Sequence, residues 1–133
     1  MESKTDIQNK IRFVKFFVES LDYNCKNIEL NDINEELEIE LKITSSFSDD
    51  DLKSYLIKID VCLSSKDSIF KLNCKAVGFF ETIEEINEEF KSSSFVKINS
   101  PAILFPFIRS YINTITTNSG ISPVILPSIN FAK

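Results

Sequence analysis

Chemistry that depends on an imidazole is closed to this chain, because its 133 residues include no histidine. There is therefore no Ser–His or Cys–His nucleophile pair, no His-based zinc site and no general base of the commonest kind. Three cysteines remain, Cys25, Cys62 and Cys74, an odd number without metal-ligand spacing. Cys62 and Cys74 fall inside strand patterns and read as buried free thiols. The run Asp49-Asp50-Asp51 resembles a calcium loop only superficially, because apolar and basic residues, Leu52 and Lys53, follow it. It reads as a solvated turn. Glu84, Glu85, Glu88 and Glu89 form an acidic patch of the kind a soluble helix face carries. No paired-acid motif marks a carboxylate-based hydrolase. No cofactor, metal or catalytic residue is expected, and the reading is of a protein that is not an enzyme.

What the chain has in quantity is phenylalanine, twelve residues with no tryptophan. Phe79, Phe80, Phe90 and Phe95 flank a change from strand-like to helix-like sequence. A crossover this rich in phenylalanine is either an adaptable apolar surface for peptide side chains or ordinary cover for a sheet edge. The net charge of −5 and pI near 4.8, with no basic cluster, argue against nucleic acid as a partner. The apolar run Phe13 to Val18 is interrupted by Lys15 and preceded by Lys10 and Arg12. It is too short for a signal core or a membrane span, so membrane insertion is not expected and a cytoplasmic location is.

The elements that must position these residues follow from periodicity. The length fits one domain, residues 1–133, with 1–9 polar and flexible. Ile11 to Tyr23 is rich in β-branched and aromatic residues, but its apolar positions switch parity. A strand covered on both faces, or one with a bulge near Glu19, explains that. Glu35 to Phe47 is period two: Leu37, Ile39, Leu41 and Ile43 point one way, Glu36, Glu38, Glu40 and Lys42 the other. A third strand carries Tyr55, Ile57, Ile59, Val61 and Leu63 on one face. A fourth, Ile69 to Ile83, carries Phe70, Leu72, Cys74 and Ala76. Short loops predict an antiparallel meander with one face buried.

Glu84 to Lys91 reads as a crossover or a short helical turn. Ser100-Pro101 reads as a capping residue before a first-turn proline, and Asn118-Ser119-Gly120 as the stop of a long helix. Leu104, Ile108, Tyr111 and Ile115 form one stripe of that helix; Ile103, Phe105, Phe107 and Ile112 widen it beyond a single face. Pro106 sits at its first turn or kinks it. The remainder, with Pro123 and Pro127, is extended. The fold class is α+β: a four-stranded antiparallel sheet, a long C-terminal helix and an extended C-terminal segment.

The last third carries a family resemblance. Pro101-Ala102-Ile103-Leu104-Phe105-Pro106-Phe107-Ile108-Arg109 resembles the P-x-x-L-F-P-[YF]-x-R signature heading the long helix of the SecB chaperones. Gly120 stands where that family ends the helix, and Leu126-Pro127-Ser128-Ile129-Asn130-Phe131 resembles its L-x-P-[VI]-N-F segment with the proline one place early. Gly78-Phe79-Phe80 resembles the G-x-F closing its fourth strand. The resemblance implies a holdase that binds unfolded polypeptides in hydrophobic grooves, for export or for a dedicated client such as an antitoxin. It also implies a homo-oligomer, a dimer of dimers with helices between two sheets. Expected peptide-binding residues are Phe79, Phe80, Phe90, Phe95, Phe107, Ile121 and Ile125. Those expected at the oligomer interface are Leu104, Ile108, Tyr111, Ile112 and Ile115. Packing alone also accounts for Leu104 and Phe105, and Arg109 reads as an anchor for a carboxylate or carbonyl.

Two departures bear on partners. The family continues past Asn130-Phe131 into a second helix and an acidic tail, and this sequence stops at Lys133. The family's acidic docking positions for the motor SecA correspond here to Ser20, Asn24 and Asn73, which argues against SecA binding. The alternative to a holdase is a structural or adaptor protein that keeps the oligomeric fold.

Overall fold

A computed structural model describes residues 10–26 and 37–132. The expectations for residues 1–9, Glu35, Glu36 and Lys133 lie outside them. Four antiparallel strands, β1 (Ile11–Cys25), β2 (Leu37–Phe47), β3 (Ser54–Ser65) and β4 (Phe70–Thr82), form one sheet. After it come a short helix α1 (Glu88–Lys91), a π-helical turn (Phe95–Asn99) and the long helix α2 (Ser100–Asn118).

The strand order is β1-β4-β3-β2, so the expected meander holds only for β2, β3 and β4. Short turns keep those three adjacent, whereas eleven residues (26–36) separate β1 from β2 and free β1 to pair elsewhere. It pairs with β4, making β4 and β3 the central strands. Their inward rows are correspondingly sealed: Tyr55, Ile57, Ile59, Val61 and Leu63 on β3, Phe70, Leu72, Cys74, Ala76 and Phe80 on β4. On the edge strand β2 the row Leu37, Ile39 and Leu41 is only half-buried and Ile43 is 40% exposed.

The parity switch in β1 resolves into two bulges. Register slips by one residue between Phe13 and Lys15 and again between Val18 and Ser20, so Val14 and Glu19 are the extra residues. Each insertion restores the inward direction to the next apolar residue. Ile11 and Phe13, then Phe16 and Val18, then Leu21, Tyr23 and Cys25 all face the core side. Extruded Glu19 reaches Lys58 on β3 at 2.8 Å.

Helix α2 packs on the inward face across β1, β3 and β4. Its buried column is Ser100, Leu104, Ile108, Ile112 and Thr116, one residue every four, with Phe105 beside it. Gly78 on β4 permits that approach. A Cβ there would stand 2.9 Å from Phe80 Cε2 and 3.0 Å from Leu104 Cδ1. Ser100 is not the cap expected of it, because helical geometry already begins upstream in the π-helical turn and Asn99 is helical. Its hydroxyl instead donates to the Phe95 carbonyl at 2.6 Å and lies 2.7 Å from the Tyr55 hydroxyl, both bonds buried. Pro106 lies inside the helix, which runs through it to Asn118. Gly120 then takes φ +87°, a conformation natural to glycine.

From Ile121 the chain runs extended and antiparallel along α2. Val124 N–H donates to Thr116 Oγ1 (2.9 Å), Arg109 donates to Ser128 (3.2 Å), and Phe131 meets Phe105 edge-on (5.7 Å). Arg109 thus anchors a hydroxyl rather than a carboxylate or carbonyl. Val124 and Leu126 turn inward while Ile125 between them is 69% exposed. Of the cysteines, Cys74 is buried as expected. Cys62 is exposed on the outward face instead, since the period-two pattern assigns it opposite Val61 and Leu63.

Candidate functional site

A line of touching aromatic rings links the sheet to the helix. Phe47 stacks on Tyr55 (5.9 Å), Tyr55 on Phe80 (5.2 Å), Phe80 meets Phe13 (5.3 Å), and Phe13 meets Phe107 (4.9 Å) on α2. From Tyr55 a branch enters the crossover through Phe90 (5.6 Å), and Phe90 stacks on Phe95 at 6.0 Å with planes 13° apart. The crossover phenylalanines therefore rest on a rigid aromatic foundation, their rings held by neighbours on several sides.

Local chemistry fixes the crossover backbone. Asn87 caps α1 by accepting from Phe90 N–H at 2.8 Å, and Lys91 pairs with Glu88 at 3.1 Å. Ile86 N–H donates to Leu52 O at 2.7 Å, tying the crossover to the turn before β3. That turn is built by Asp51, whose carboxylate accepts from Lys53 N–H at 3.0 Å, the expected solvated-turn role.

Between the end of β4 and the π-helical turn lies an open cleft of about 440 Å³. Phe90 and Phe95 supply its apolar wall together with Ile83, which is 65% exposed. Glu84, Glu85 and Glu89 stand at its rim, and Ser93 and Lys10 also line it. The Lys10 ammonium sits 5.7 Å above the Phe95 ring. Acidic rim and aromatic wall together suit an extended, apolar chain segment carrying a cationic group.

The seven expected peptide-binding residues are not one surface. Phe90, half-buried, and Phe95, 9% exposed, share this cleft. Phe80 is fully buried beneath Tyr55 and Phe13, which removes it from any peptide's reach. Phe79 points to the opposite sheet face, because neighbours along a strand alternate; there it stands between Lys15 and Leu56. Phe107, 44% exposed, lies over β1 against Phe13 and Phe16. Ile121 and Ile125 belong to the extended C-terminal segment. Ile83 and Lys10 escaped the sequence reading; the one signal for Ile83 was an apolar residue continuing past the strand's last pair, Ile11 with Thr82.

The expected interface column is likewise revised. Leu104, Ile108 and Ile112 are fully buried against the chain's own sheet, so they are not open to a second copy. Tyr111 and Ile115 are partly exposed, with Ile103 and Phe107. Ser20, Asn24 and Asn73 do share the outward face of the sheet, as partners or neighbours of Lys75, Lys71 and Asp22.

This sheet-and-helix arrangement matches known structures. A SecB-like chaperone of Mycobacterium tuberculosis, solved with a ChAD peptide from the HigA1 antitoxin, superposes with a TM-score of 0.70 at 12% identity. The match covers 95% of this chain and 97% of that one. The family described as preprotein translocase subunit SecB matches residues 4–133, and this chain belongs to the SecB family. An uncharacterised protein of Methanocaldococcus jannaschii is 32% identical over 126 residues, 92% of this chain and 80% of its own length. The protein-export protein SecB of Neorickettsia sennetsu is 34% identical over 83 residues, 58% of this chain. That match spans about half of the export protein's length, 49%. Among the described residues, no helix is long and apolar enough to cross a membrane.

Proposed function

We propose that this protein is a holdase whose client site includes the cleft walled by Ile83, Phe90 and Phe95. The observation that carries the reading is that aromatic cleft, open to solvent yet braced from below by Tyr55 and Phe80. Membership in the SecB family supports the chaperone role, and the peptide held by the mycobacterial fold relative supports a polypeptide client. Extended segments rich in aromatic and basic residues bind there, and the net charge of −5 steers basic segments toward it. Each contact is weak, because a disordered client loses conformational freedom on binding.

The protein works as a homo-oligomer. The half-buried inward row of β2, ending at Ile43, and the partly exposed Ile103, Phe107, Tyr111 and Ile115 on α2 are apolar surface that a second copy covers. Docking to SecA is weak or absent, since Ser20, Asn24 and Asn73 bring no charge to the outward face. The test is light scattering of a chemically denatured model protein diluted into buffer. Stoichiometric amounts of this protein suppress its aggregation, and Phe90→Ala weakens the effect. Unchanged aggregation at tenfold excess rejects the holdase reading and leaves the adaptor role.

A further inference from the structure

The cleft described above already holds a cation of the chain's own. Lys10 is the residue before β1, and the pairing of Ile11 with Thr82 places it beside the end of β4, where the cleft begins. Its ammonium stands 5.7 Å from the centroid of Phe95, within the range at which a ring face attracts a cation. The surroundings favour that charge from several sides. Glu84, Glu85 and Glu89 line the same cleft, and Lys10 is the single cationic residue among the described residues lining it. Ser93 adds a hydroxyl oxygen that is buried and has no hydrogen-bond partner among the described residues, an acceptor at the same wall. Nearby, Lys91 lies 5.4 Å over Phe47, so a lysine over a ring occurs twice around this crossover.

Resting on the holdase reading, we infer that the Phe95 face is a subsite for one lysine or arginine side chain of the client, and that Lys10 is its resident competitor. A client cation takes the place of the Lys10 ammonium over Phe95, with its apolar neighbours against Ile83 and Phe90. The exchange keeps the charge on the ring and under the acidic rim, so the aromatic wall never stands without a cation. Lys10 is itself exposed, and its departure opens no core. The device sets a threshold: apolar segments without a correctly placed basic residue must displace Lys10 and return nothing to the ring.

Two extended peptides distinguish the possibilities, identical except for a central lysine in one and norleucine in the other, followed by fluorescence anisotropy at fixed ionic strength. The wild-type protein binds the lysine peptide more tightly, by roughly threefold to tenfold, the scale of one partly desolvated cation–π contact. Lys10→Ala strengthens binding of both peptides by a similar factor, since both must displace Lys10, and leaves the ratio near its wild-type value, whereas Lys10→Arg keeps both affinities near wild type. Phe95→Leu, checked for folding by circular dichroism, brings the ratio close to one. Because Lys10 is exposed, its variants keep the test decisive even where Phe95→Leu fails to fold. Equal binding of both peptides, or affinities for both that are indifferent to Lys10→Ala, overturns the subsite with its resident competitor while leaving the holdase reading intact. Binding of neither peptide overturns both.

Discussion

The hydroxyl of Tyr55, near the start of β3, lies 2.7 Å from the Oγ of Ser100 at the start of α2, with both side chains sealed from solvent. Since Ser100 donates onward to Phe95 O, the shared proton of the pair comes from Tyr55. Sheet, helix and crossover are thus fastened through one buried polar pair. Removing either end has different consequences. Tyr55→Phe loses a hydrogen bond but leaves Ser100 satisfied, costing about 1 kcal/mol. Ser100→Ala strands a buried tyrosine hydroxyl and costs about 1–3 kcal/mol. Urea unfolding checks the order; a double variant less damaged than the sum confirms the coupling.

The same burial makes the fold sensitive to alkali. Desolvation pushes the Tyr55 phenol from its ordinary 10.0 up to about 12, and the Cys74 thiol from 9.0 to about 11. Both groups are neutral when protonated and their folded pKa is raised, so their contribution is complete below the unfolded pKa. It is lost as pH climbs through roughly 9 to 12. Cys74 is common to both proteins, so the stability gap between wild type and Tyr55→Phe should narrow as pH climbs from 10.0 to about 12, in denaturation at fixed salt. A gap independent of pH would contradict the assignment.

Contact between α2 and the sheet depends on Gly78. Gly78→Ala drives a methyl into Phe80 and Leu104 and should destabilise by about 1–3 kcal/mol. Pairing it with Leu104→Ala gives the methyl room, so the double variant should be less damaged than the two single costs added. Strict additivity would show that the two residues do not meet.

Three strands were readable because β2, β3 and β4 obey period two: Leu37 to Ile43, Tyr55 to Leu63 and Phe70 to Ala76 keep one parity throughout. β1 was harder, because a bulge consumes a residue without a signature in residue type. The parity switch points to a bulge near Glu19 and carries no sign of the one at Val14. Its place beside β4 was invisible, since faces follow from pattern but edge order follows from long-range pairing. On α2 the buried column includes Thr116, whose hydroxyl bonds Ile112 O and Val124 N–H, so a search for apolar residues misplaced the column toward Tyr111 and Ile115. The crossover phenylalanines were legible as a group. That Phe79 and Phe80 face opposite ways, and that Lys10 joins Phe95, follow only from the assembled sheet.

Assembly gives a contrast between two neighbours on the helix. Ile112→Glu places a charge in the sealed core and should abolish folding, while Ile115→Glu should leave a folded chain with weakened association. Multi-angle light scattering of the wild type should give a multiple of 15.2 kDa at micromolar concentration. A single-chain mass there would rule out the oligomer.

The C-terminal segment is held by Thr116, which donates to Ile112 O at 2.8 Å and accepts from Val124 N–H at 2.9 Å. Thr116→Val leaves that buried N–H unpaired, at about 1–3 kcal/mol. Hydrogen exchange should then speed up at Val124 while the β3 and β4 amides stay protected. Uniform acceleration would mean the segment unfolds only with the whole domain.

The placement of the client site is tested most directly by site-specific photocrosslinking to an unfolded polypeptide. The probe is introduced at Ile83 in the cleft wall or at Glu40 on the outward face of the sheet. The account predicts crosslinks from position 83, lost in excess unlabelled peptide, and few from position 40. Crosslinks concentrated at position 40 and missing at 83 would contradict it.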